Sequence, residues 1–122
     1  MRRISVTVPD KATVIGDKIA VADSSWTRFI GLMGKRALDR GGGLWIKPSS
    51  GVHTCWMRMC IDVVALDSDH RIVAMGHSVP PWRISCVHWK TRSVLELPAG
   101  RIRECSITVG DTLIISDEGA SE

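Results

Sequence analysis

The stretch that most constrains this chain is Gly51 to Asp67, GVHTCWMRMCIDVVALD. It reads as extended chain entering a buried strand. Side chains alternate across a strand with period two, so Ile61, Val63 and Ala65 share one face and Asp62, Val64 and Leu66 the other. Both faces are apolar and rich in β-branched residues, which suit a pleated surface. A strand covered on both sides is the expectation. Asp62 then lies among Val64 and Leu66. A carboxylate there needs donors or a cation, because unpaired burial costs several kcal/mol. Two readings follow. Either Asp62 ties down a neighbouring loop through backbone N–H groups, or it is a ligand-binding or acid–base carboxylate.

Around this strand the punctuation is that of a β protein. Ile4, Val6 and Val8 alternate with polar residues and stop at Pro9-Asp10, which reads as an edge strand or an ordered arm. Residues 12–22 give two apolar pieces split by Gly16-Asp17, a predicted hairpin. Residues 24–34 form the one predicted helix. Asp23 or Ser24 caps it, Trp26, Phe29, Ile30 and Met33 make a single stripe, and Gly34 closes it. Short strands follow at Leu44-Trp45-Ile46, residues 71–79, 93–97, 107–109 and 113–115, separated by Gly, Pro and Asp turns. Gly41-Gly42-Gly43 lacks the G-K-[ST] ending and the following helix of a phosphate loop. The predicted fold is mainly β, an antiparallel β-sandwich or partly open barrel with one short α-helix at about residues 24–34.

At 122 residues the chain is one domain, 1–122, with its core in about 12–115 and an acidic tail, 116–122, expected to fray. The formal net charge of +3 is spread along the chain without a cationic stripe or tail, which disfavours nucleic acid as a partner. No apolar run approaches the ~20 residues of a membrane span, so no membrane partner is expected. The four cysteines form no C-x-x-C pair, and Met1-Arg2-Arg3 is not followed by an apolar signal region. Free thiols in the cytoplasm are the expectation, or export if a leader is missing. The sequence does not fix an oligomeric state.

The order of features resembles a family of bacteria and archaea, the domain of unknown function 192 family. The matching pieces are Arg28-Phe29-Ile30-Gly31-Leu32-Met33, Gly43-Leu44-Trp45-Ile46 and His53 through Val63, HTCWMRMCIDV. Asp67, Val94-Leu95-Glu96-Leu97-Pro98-Ala99-Gly100 and Gly110-Asp111 complete the set. The resemblance covers about residues 12–115. It implies a compact, mostly β domain with a short helix, and no assigned activity. Cys55 and Cys60 depart from the family pattern, so the thiols read as incidental.

The resemblance also brings together Arg28, His53, Asp62 and Glu96. Arg28 is either solvated or a clamp for carboxylate or anion, since the guanidinium fork suits paired oxygens. Glu96 lies between Leu95 and Leu97, where it either faces water or repeats the setting of Asp62. Trp56 and Trp82, with Trp45, are candidate walls of a groove, each offering a broad apolar face and one N–H donor. The predicted cleft is therefore Arg28, His53, Trp56, Asp62, Trp82 and Glu96. Within the extended stretch, His53, Cys55, Met57 and Met59 would line one face as a soft-metal set, though Met and Cys are also ordinary core fillers. A His53–Cys55 dyad has the right residue types for a thiolate mechanism but poor spacing, since strand neighbours point in parallel. The expected function is a small soluble module binding a small molecule or carbohydrate-like ligand, without a cofactor. The alternatives are a hydrolase using Asp62 and Glu96 as paired carboxylates, or a structural or protein-interaction domain.

Overall fold

The computed structural model describes residues 2–24, 27–28, 32, 37–86 and 88–117. The strands are β1 (Arg3–Val8), β2 (Thr13–Ala22), β3 (Gly42–Ile46), β4 (Val52–His53), β5 (Ile61–Leu66), β6 (Ile72–Val79), β7 (Ile84–Ser85), β8 (Ser93–Pro98) and β9 (Ile114–Asp117). A 3₁₀ turn, Pro9–Lys11, follows β1, and one short helix, α1 (Arg101–Cys105), follows β8. Seven strands form one sheet in the order β6-β5-β8-β3-β2-β1-β9, and β4 pairs with β7 in a small second sheet.

The central stretch behaves as its pattern requires. All six residues of β5 are buried, and the strand sits between β6 and β8. Its two faces feed two cores. Val64 and Leu66 join Ile4, Val6, Ile19, Trp45, Leu95 and Leu97 on one side, where Ile102 and Leu113 close the cluster. Ile61 and Val63 join Leu44, Ile46, Val52, Met57 and Val94 on the other. The sheet curls until its ends meet at one corner. There Arg71 bridges Thr112, and Ile72 donates to Asp111 O and Leu113 to His70 O, at 2.8 and 2.9 Å. Strands β6 and β9 are not themselves partners, so the barrel stays open.

Several local expectations change. The pairing is not wholly antiparallel: β2 and β3 run parallel. A parallel pair needs a long crossover, and residues 23–41 supply it. Residues 12–22 are not a hairpin but one strand of ten residues, β2. Gly16 absorbs a bulge there. Ile4 faces Ile19 and Val6 faces Gly16, so three steps on β2 match two on β1. A Cβ on Gly16 would lie 2.9 Å from the Gly41 carbonyl oxygen, which accepts the Asp17 and Lys18 N–H groups. Strand β1 is no edge, because β9 pairs along it. Residues 107–109 are not a strand. Ser106 adopts a left-handed conformation that stops α1, and Ile107 turns into the core. Of the helix expected over 24–34, only Ser24, Thr27, Arg28 and Leu32 fall among the described residues. Ser24 caps there as expected: its Oγ accepts the Thr27 N–H at 3.1 Å and its carbonyl accepts the Arg28 N–H at 3.0 Å. In the tail, β9 orders Ser116 and Asp117, and 118–122 lie outside the described residues.

Candidate ligand-binding site

The small sheet is built around Thr54, which is fully buried. Its hydroxyl donates to Pro80 O at 2.7 Å and accepts the Arg83 N–H at 2.8 Å. Its own N–H donates to Arg83 O, while its carbonyl accepts the N–H groups of Trp82 and Met57. One threonine thereby locks the loop after β4 to the loop before β7. Each loop carries a tryptophan at a left-handed residue, Trp56 at φ 68° and Trp82 at φ 65°. Such backbone is costly for a bulky side chain and persists only where surrounding bonds enforce it. The two indoles meet edge to face, ring centroids 4.8 Å apart at 63°. They remain 62% and 56% exposed, so neither is a core filler. In the β4–β7 register exposed His53 is directly opposite exposed Ile84.

The acids behave differently from this platform and from each other. Asp62 is fully buried on the side of Val64 and Leu66. Its Oδ1 accepts the Ser78 N–H and its Oδ2 the Ile102 N–H, both at 2.8 Å. The first bond spans the β5–β6 irregularity. The second fastens the first turn of α1 to the sheet. Asp62 is thus the loop-tying carboxylate of the first reading. Glu96 faces Val63 and Leu44 across its neighbouring strands, on the opposite side of the sheet. It is 1% exposed, and its Oε1 has no hydrogen-bond partner among the described residues. Burial pushes its pKa from 4.5 up to about 8, so the side chain is neutral at physiological pH. A carboxylate-pair hydrolase needs both acids about 5–10 Å apart on one substrate. Asp62 and Glu96 are divided by the sheet, which removes that arrangement.

The remaining predicted cleft residues do not converge either. Arg28 donates to the carbonyls of Ser24 at 3.3 Å and Pro48 at 3.2 Å, bracing two loops. Trp45 is buried on the β5 face that carries Asp62, against the edge of His70, and does not join Trp56 and Trp82. The soft-metal set needed an extended segment. The chain turns at Cys55-Trp56 instead, Met57 enters the second core, and Met59 packs against it, while His53 faces solvent. All four cysteines are free. Burial raises the pKa of Cys86 and of Cys105, which keeps both as thiols. Of the predicted cleft residues the structure brings Trp56 and Trp82 into contact and sets Asp62 and Glu96 on opposite faces of the sheet. Sequence reasoning missed Thr54 as the organiser. An isolated threonine in an extended run gives no sign of binding a loop 26 residues away.

Fold and platform together define a small, mostly β domain with a solvent-facing aromatic patch. Among the described residues no helix is long and apolar enough to cross a membrane. The chain belongs to the domain of unknown function 192 family, described as an uncharacterized ACR, whose model matches residues 5–115. It is 31% identical over 108 residues to a UPF0127 protein of Pyrococcus furiosus, covering 84% of this chain and 90% of that one. A UPF0127 protein of Pyrococcus horikoshii is 31% identical over 101 residues, covering 79% and 85%. Among solved structures, one from Sinorhizobium meliloti described as a candidate transcription regulator superposes with TM-score 0.79 at 19% identity, over 93% of this chain and 92% of that one. A protein of unknown function from Novosphingobium aromaticivorans gives TM-score 0.79 at 19% identity, over 92% and 83%. At that identity the structural likeness shows the fold alone.

Proposed function

We propose that this protein is a non-catalytic binding module whose Trp56–Trp82 platform takes a carbohydrate-like small molecule. The observation that carries this is two tryptophans, each more than half exposed, held in contact by a buried threonine. Exposed indoles fixed in place bind the apolar face of a sugar ring without losing side-chain freedom on binding, which lowers the entropic cost. His53 at the end of β4 and Arg83 next to Trp82 are both exposed and offer polar atoms to ring hydroxyls. The free thiols suit a reducing compartment such as the cytoplasm. The spread of cations supports a partner other than nucleic acid.

Calorimetric titration of the intact protein with a panel of soluble oligosaccharides tests the reading. Binding to at least one glycan, lost in both Trp56→Ala and Trp82→Ala with their melting temperatures kept, is the expected result. No binding across the panel, or binding that survives both substitutions, overturns it.

A further inference from the structure

The two loops that carry Trp56 and Trp82 are also cationic. Neither residues 40–61 nor residues 70–95 contain an aspartate or glutamate, although the chain has 13. Both loops fall within these stretches. Arg58 comes two residues after Trp56 and Arg83 directly after Trp82, and Lys90 and Arg92 follow between β7 and β8. Arg58 and Arg83 are exposed, and neither forms an ion pair among the described residues.

The Arg83 guanidinium is held beside its tryptophan. Its Nη1 donates to the Trp82 carbonyl at 3.4 Å, which leaves four of its five N–H donors free. The Arg58 guanidinium has no hydrogen-bond partner among the described residues. The sheet beneath does not offset these charges. The small sheet packs through Val52 and Met57 on the face of β5 that carries Ile61 and Val63. Asp62 lies on the other face, with both oxygens taken by N–H groups. Glu96 shares the near face, but burial keeps it neutral at physiological pH. Guanidinium forks without a counter-ion suit a planar carboxylate, which they hold through paired N–H···O bonds.

We infer that the ligand of the platform is an acidic saccharide, a uronic-acid oligomer whose rings lie on Trp56 and Trp82 while its carboxylates meet Arg58 and Arg83. The inference rests on the reading of the platform as a sugar site and names the ligand class it takes. Lys90 and Arg92 extend the positive field, which raises the rate of encounter with a polyanion.

The test is calorimetric titration of the intact protein with trigalacturonate and with its methyl ester, which keeps the rings and linkages and removes the charge. The acid is expected to bind about tenfold more tightly than the ester at low ionic strength, and the preference should fade in about 0.5 M NaCl. Arg58→Gln and Arg83→Gln should each cut the preference about threefold, the worth of one exposed ion pair, with melting temperatures kept. The backbone bonds of Arg83 to Thr54 do not depend on its side chain. Trp56→Ala should lose both ligands. Equal affinity for acid and ester, or a preference that persists in the Arg58→Gln/Arg83→Gln double variant, overturns the inference and leaves the platform reading standing. Binding of a neutral glycan with no binding of trigalacturonate does the same. A single-stranded oligodeoxynucleotide binding more tightly than trigalacturonate overturns it as well. No binding by any glycan overturns the inference and the platform reading together.

Discussion

Glu96→Gln is the substitution whose effect follows most directly from the burial of one group. In the folded protein this carboxyl is pushed up to about 8 from 4.5, with desolvation as the cause. Between those values the unfolded chain has lost its proton and the folded chain keeps it. The folded state binds more protons, so stability is full at low pH and falls as pH rises, by about 1.4 kcal/mol per pH unit. From about pH 5 to about pH 8 the loss attributable to Glu96 is about 3–4 kcal/mol, allowing for partial titration at both ends. Glutamine has nearly the same shape and does not titrate. Its amide has two N–H donors where the protonated carboxyl has one O–H, so it buries one more donor, a pH-independent penalty of about 1–3 kcal/mol. The variant should therefore be the less stable protein near pH 5 and the more stable near pH 8. Every other titrating group cancels in the difference. Urea denaturation of both proteins at intervals across this range measures it directly, and in thermal melts the difference should swing by about 12 °C. A stability difference constant with pH would refute the reasoning, since it would mean that Glu96 titrates alike folded and unfolded.

Two further expectations rest on single hydrogen-bonding groups. Asp62→Ala strands the N–H groups of Ser78 and Ile102, the second of them buried, so it should cost about 2–4 kcal/mol in denaturant unfolding and speed amide exchange at both positions. A cost below about 1 kcal/mol would contradict the bracing role. Thr54→Val keeps the volume but removes the bonds to Pro80 and Arg83. It should cost about 1–3 kcal/mol and reduce the near-ultraviolet circular dichroism of the Trp56–Trp82 pair, whereas an unchanged spectrum would mean that other contacts fix the platform.

The central strand was legible because its information is local. Alternation and β-branching specify Ile61 to Leu66 as buried on both faces, and an acid in such a strand must be satisfied. What the pattern does not carry is which partner supplies the donors. For Asp62 these are backbone groups on β6 and α1, up to 40 residues away. Helix α1 escaped notice because five residues, with only Ile102 and Cys105 turned inward, make too short a period to read. The break inferred at Gly16-Asp17 failed for a related reason. A glycine that permits a turn also permits a bulge or a close carbonyl, and here it does both. At the site, the chain's chemistry was visible residue by residue but not its grouping. Strand parity alone places Asp62 and Glu96 on opposite faces only once the β5–β8 register is known. The tryptophans converged because two left-handed residues turn them outward, a backbone choice not apparent from their identity.

The binding role of the platform is tested most directly by the indole N–H spectrum during titration with a glycan selected by calorimetry. The account predicts that the signals of Trp56 and Trp82 move together and saturate, while those of Trp45 and Trp89 stay where they are. Glycan-saturated protein in which the Trp56 and Trp82 signals have not moved would contradict it.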